Sequence, residues 1–444
     1  MPTRIPRTRL YWTASAYALV ACSDIYSVTA LHSEAGAATA GRLAAAFTVA
    51  SAADVGRGAG LSVLAPQVSL VEESTYVGPF TSRTGSRAYD EPLELIGTDL
   101  GISFPYAGKL YFLLGDSWVT DTRAAEQGLD SLAWTDLTPP ANGEVPALSW
   151  ERRADGAFKP FAIDRFGPLK EMSVPVEAFE ANDALYVFYY SSARRDDDRL
   201  SLFDSYPNRS VLTRADKNDL TKLTWVHDRE QTKFKSISVV QDNDMLYIFG
   251  AGDYRQSPVH LARVESSDLE DRERWEYYKN DGSWQPAEDA ELASLTSAEP
   301  DPHAPCVGEL SVRKYDSLYF MTYNCGEPTK LEHYVQLRVA ERPEGPWSKP
   351  QTILRYDQAY GVFVHADPAR TGADDGLGEP GLFDDWRQTP RAQGDVYGPY
   401  LIPQWFTKPQ PGQYEIAYTI SSWNPYQVHL MRSTVSVAGV NATP

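Results

Sequence analysis

Cysteine is scarce in this chain of 444 residues, with three in all, at positions 22, 306 and 325. That leaves no cysteine framework for a zinc ribbon or an iron–sulfur cluster. Histidine is nearly as sparse, and its seven residues are scattered without an HExxH pair. His260 and His333 stand in or beside strand-like runs and read as packed or surface residues. No CxxC pair, phosphate-cradling glycine loop or GxSxG elbow occurs, so redox, nucleotide and serine-hydrolase chemistries lack their residues. Positive charge is in deficit too. Against 60 acidic residues stand 41 basic ones, a net charge of −19 that argues against a nucleic-acid partner. Nothing in the sequence calls for a metal or a cofactor. Convincing helical periodicity is missing from the body of the chain, and beyond the N-terminus no apolar run is long enough to span a bilayer.

What is present is apolar and aromatic. Hydrophobic residues make up 42% and aromatics 12%, too much for a disordered chain and ample for a large core. Arg4, Arg7 and Arg9 precede the apolar run Leu10–Ala21, the layout of a signal peptide over residues 1–22. Leu19-Val20-Ala21-Cys22 is similar to a bacterial lipobox, which would lipidate Cys22 and attach the protein to a membrane; ordinary secretion is the alternative. Either way an exported protein is expected. Residues 23–73 contain an Ala- and Gly-rich stretch that suits a tether.

From 74 to 440 the texture changes to short apolar runs broken by Gly, Asn, Asp and Pro. One hairpin pattern recurs, with its leucine at Leu110, Leu185, Leu246 and Leu318 and a weaker copy at Tyr414–Tyr418. Each copy follows another apolar run across a turn. Four strands fit in each interval, which predicts an all-β, five-bladed β-propeller. The polar stretches 119–165 and 365–396 interrupt the rhythm and are expected to be loops that could wall a groove. Cys306 and Cys325 flank the fourth hairpin. A turn at Tyr315-Asp316 would set them opposite each other as a disulfide; two buried thiols are the alternative.

The first repeat holds the strongest constellation, Gly97-Thr98-Asp99-Leu100-Gly101 and Leu114-Gly115-Asp116-Ser117-Trp118. A turn centred between Ala107 and Gly108 would pair Asp99 with Asp116 across the strands. Carboxylates that close raise one pKa, so one can donate a proton while the other accepts one, as glycoside hydrolysis requires. Short acidic side chains also cap turns, and spacing does not separate the two uses. Glu309 and Glu177 interrupt apolar inner-strand patterns, and Asp253 follows the third repeat much as Asp116 follows the first; all three could converge on a central funnel. Trp118, Trp423 and Tyr426 stand where ring faces could stack on a sugar.

These two motifs, with Gly308-Glu309-Leu310-Ser311, Pro343-Glu344-Gly345-Pro346-Trp347 and Ser422-Trp423-Asn424-Pro425-Tyr426, resemble the domain of unknown function 4185, which overlaps glycoside hydrolase family 183, the endo-D-arabinanases. The resemblance spans about residues 75–435. It implies a five-bladed propeller that cleaves α-linked D-arabinofuranose chains with inversion, Asp99 and Asp116 being the catalytic pair and Glu309 an alternative acid. The expected partner is an arabinan-type polysaccharide. A non-catalytic glycan-binding propeller and a lyase on the same fold are the rival readings.

Overall fold

The computed structural model describes residues 64–82, 93–119, 129–141, 143–163, 172–192, 209–230, 232–296, 305–327, 332–366, 377 and 394–440. Cys22, the signal-like segment, most of the tether and most of 365–396 lie outside the described residues. No helix among the described residues is long and apolar enough to cross a membrane.

The described strands form five sheets of four or five strands each. Blades one to five open on the strands Leu95–Tyr106, Met172–Ala181, Ser236–Asp242, Leu310–Tyr315 and Val396–Leu401. These five strands contact one another in a closed ring, so they are the inner strands of a five-bladed β-propeller. The recurring leucine-aromatic runs are the second strands of blades one to four. In blade one that strand, Lys109–Val119, is buried at almost every position, because both of its faces pack against a neighbouring blade. The core is accordingly divided into five clusters, each filling the wedge between two adjacent blades.

The ring is closed by the first and last described strands. Gln67–Pro79 pairs antiparallel with Tyr426–Ala438, so the first described strand is the outer strand of the last blade. Residues 67–73, expected to belong to the tether, are therefore part of the propeller. The stretch 119–165 is not all loop either: Leu129–Asp136 and Ser149–Trp150 complete blade one, and Ala162–Ile163 joins blade two in parallel to Asp219–Glu230.

Two registers differ from those expected. The first hairpin turns at Ala107-Gly108, and Tyr106 pairs with Lys109 through to Ile102 with Leu113. A bulge then intervenes, and Asp99 pairs with Gly115 instead of Asp116. Gly101 sits in that bulge at φ 86°, a conformation that only glycine adopts without strain. In the fourth hairpin Tyr315 pairs with Leu318, so the turn falls one residue later than expected, and Cys325 lies opposite Tyr334 of the third strand. Cys306 precedes the inner strand. It reaches Cys325 because the Gly308 and Glu309 amides bond to Asn324, at 3.0 and 2.8 Å; the disulfide closes with Cα atoms 5.1 Å apart.

Candidate active site

Asp99 lies in the inner strand of blade one with only 5% of its surface exposed. Desolvation is the main cause that lifts its carboxyl from 3.8 to about 6; Glu309 adds to the rise, while the hydroxyls of Tyr426 and Tyr397 pull it back. The Tyr397 hydroxyl donates to Asp99 Oδ2 at 2.8 Å. Burial keeps both phenols well above their ordinary pKa, so they remain donors at neutral pH. Gly115 explains itself here. A Cβ at that position would stand 2.6 Å from Leu100 Cδ1 and 2.8 Å from Asp99 Oδ1, displacing the carboxylate.

Asp116 follows at φ 26°, a strained turn of the backbone that leaves it half-buried. Its charge is felt by the Tyr426 hydroxyl, as is that of Asp99, so both aspartates border one phenol. The turn is held from behind by buried hydroxyls. Thr98 Oγ1 donates to the Gly115 carbonyl at 2.7 Å and lies 3.0 Å from Ser117 Oγ, which lies 2.7 Å from Ser131 Oγ.

Glu309 stands immediately before the inner strand of blade four, half-buried, its Oε1 accepting from the Tyr254 hydroxyl at 2.8 Å. This is the carboxylate that acts on Asp99. Trp118 and Trp423 are half-buried, and Trp423 meets the buried Tyr426 ring edge-on at 5.8 Å. Blade one therefore contributes two aspartates, blade four a glutamate and blade five the phenols and a tryptophan.

The other two expected residues have different posts. Asp253 is exposed and salt-bridged to Lys235 at 2.6 Å. Glu177 is buried one tier deeper, where Arg313 Nη1 and Nη2 bond its two oxygens at 2.7 and 2.9 Å. Ser238 Oγ and the Val239 and Ala178 amides complete its shell. Arg313 also donates to the Ser103 carbonyl at 3.3 Å, so this pair ties together blades one to four. That commitment explains a charge in an apolar pattern without any ligand.

Several residues at the funnel were not singled out from sequence: Tyr397, Tyr254, Arg255, Asn324 and Asp395. One signal existed for Asp395, which immediately precedes the inner strand of blade five as Glu309 precedes that of blade four. Among the described residues no group of three or more His, Cys, Asp or Glu is arranged to hold a metal ion.

The chain is similar in structure to a candidate hydrolase from Bacteroides ovatus, at 14% identity over 77% of this chain and 86% of that one, with a TM-score of 0.48. It is similar also to an α-L-arabinofuranosidase from Podospora anserina, at 10% identity over 83% and 98% of the two chains and a TM-score of 0.39. An α-L-arabinofuranosidase from Lactobacillus brevis shares 14% identity over 79% and 94%, with a TM-score of 0.40. Among curated proteins no match is found. The model of the domain of unknown function DUF4185 matches residues 84–432, nearly the whole propeller, and the chain belongs to that family.

Proposed function

We propose that this protein is a glycoside hydrolase that cuts within arabinan-type chains of α-D-arabinofuranose, with Asp99 as the proton donor and Asp116 as the group that activates water. The observation that carries this reading is the state of Asp99. A carboxyl with a pKa near 6, buried among phenols and beside a second carboxylate, keeps a share of its proton at neutral pH and can deliver it to a departing sugar oxygen. Asp116 is more open to solvent, as the partner of an attacking water should be. Glu309 helps Asp99 hold its proton. Half-buried Trp118 and Trp423 are aromatic residues of the kind that stack on sugars, and the acidic chain suits a substrate recognised by hydroxyls instead of phosphates. The disulfide fits the oxidising compartment of an exported enzyme.

Incubation with purified D-arabinan, read as new reducing ends, tests the assignment. Wild type should release oligosaccharides at a rate that declines as the pH rises above about 6, the range where Asp99 loses its proton. Asp99→Asn and Asp116→Asn should each lower kcat by roughly 100-fold or more. Saturable glycan binding without product, unchanged in both variants, would instead identify a non-catalytic glycan binder. An unsaturated product absorbing in the ultraviolet would identify a lyase.

A further inference from the structure

Asp395 and Arg255 come from different blades, and the Asp395 charge reaches the Arg255 guanidinium. Asp395 holds its backbone and one oxygen in fixed positions: its carbonyl accepts from the Trp423 amide at 2.8 Å, and Oδ1 accepts from the Val396 amide at 2.9 Å. His333 Nδ1 lies 3.2 Å from that same Oδ1. The imidazole is buried, braced edge-on against Tyr356 at 4.9 Å, while the Asp395 side chain keeps 32% of its surface exposed. A buried histidine thus orients a part-exposed carboxylate whose second oxygen makes no hydrogen bond among the described residues.

Arg255 is placed with equal care and left uncommitted. Its backbone is left-handed at φ 55°, its amide donates to the Val307 carbonyl at 3.0 Å, and its guanidinium lies 5.0 Å from the centre of the Tyr254 ring. Tyr254 in turn binds Glu309. The charges of Asp395 and Glu309 both act on the guanidinium, yet among the described residues it makes no hydrogen bond or ion pair with either. Its Nε is buried and has no partner among the described residues. A buried guanidinium nitrogen without a partner, within reach of two carboxylate charges, is a strong donor still to be satisfied.

We propose that Arg255 and Asp395 are the specificity-determining pair for the sugar unit bound against Glu309, Arg255 donating to one hydroxyl oxygen and Asp395 accepting from the neighbouring hydroxyl. A vicinal diol has this donor and acceptor pattern, and it would bridge two charged groups that form no ion pair with each other among the described residues. The mixed charge of the pair selects a neutral sugar over an anionic one. His333 is a positioning residue that acts through Asp395.

This inference rests on the glycan-cleaving reading of the same funnel, and the experiment keeps the two apart. Kinetics and calorimetric binding are measured with an α-D-arabinofuranosyl oligosaccharide and with its analogues deoxygenated at single positions. Wild type should lose roughly 10- to 100-fold in kcat/KM on the analogue lacking the bridging hydroxyl, because the charged groups are then left without their partner. Asp395→Asn and Arg255→Lys should cut the parent reaction by a similar factor and accept the deoxygenated analogue nearly as well as the parent sugar. His333→Gln should show a partial version of the same loss of discrimination with an unchanged Tm. If both variants discriminate as wild type does, the pair is not the determinant, although cleavage by wild type would leave the hydrolase reading intact. If wild type neither binds nor cleaves the oligosaccharide, both readings fall together.

Discussion

Two carboxylates on the central axis are buried to almost the same degree and treated in opposite ways. Glu177, in the lower tier, has both oxygens bonded by Arg313 and is further satisfied by a hydroxyl and two backbone amides. Asp99, in the upper tier, has no cation against it among the described residues; the Tyr397 phenol bonds Oδ2, and the Tyr426 hydroxyl also acts on the carboxyl. Burial alone therefore does not say what an acidic residue is for. A carboxylate with a full set of charged and backbone donors has every lone pair committed in place and holds blades together. One provided with neutral donors only is left close to its titration point and can exchange a proton.

Removing one charge from each tier should break the comparison most sharply. Glu177→Gln strands Arg313 without its counter-charge, and the unfolding free energy measured in urea should fall by about 3–5 kcal/mol. A loss under about 1 kcal/mol would mean that the pair does not pin the ring. The substitution Asp99→Asn should have the opposite sign at neutral pH. Between pH 3.8 and about 6 the native protein keeps a proton that the unfolded chain has lost, so wild-type stability falls as pH rises through that window and then levels off. The amide has no charge to desolvate, so Asp99→Asn should be the more stable protein at pH 7, by as much as about 3 kcal/mol, and equal to wild type near pH 3.5. Urea titrations at several pH values check this, and a variant less stable than wild type at pH 7 would refute the account of Asp99. Tyr397→Phe is the gentlest probe. It removes a hydrogen bond worth about 1 kcal/mol, should raise the Asp99 pKa further, and should move the alkaline limit of activity upward; a downward move would contradict the assignment of Asp99 as proton donor.

Much of the fold could be read along the chain because a blade is a local object. The repeated hairpins around Leu110, Leu185, Leu246 and Leu318 are stretches whose strands pair with their sequence neighbours, and their apolar patterns report it. The closing strand Gln67–Pro79 was not legible. Its exposure alternates irregularly, and its partner lies at the far end of the chain. The site was partly legible. Asp99 and Asp116 stood out as a pair set across one hairpin and Glu309 as a charge in an apolar pattern, and Glu177 stood out for that last reason although its charge is spent on Arg313. Pattern alone cannot separate these cases, since the counter-charge comes from another blade. The one-residue bulge at Gly101, which sets Gly115 and not Asp116 opposite Asp99, is equally invisible to counting from the turn.

By itself the sequence determined the all-β class, the five hairpins, the turn at Ala107-Gly108 and the acidic, cysteine-poor surface chemistry, all of which follow from side-chain periodicity and composition. Only the tertiary structure decided which carboxylates meet phenols, which meets a guanidinium, and which stand half-open at the funnel. The physical reason is that a propeller brings one end of every inner strand to a single axis. Residues as distant as Asp99, Tyr254, Glu309, Asp395 and Tyr426 then share one low-dielectric space, and a pKa is a property of that space.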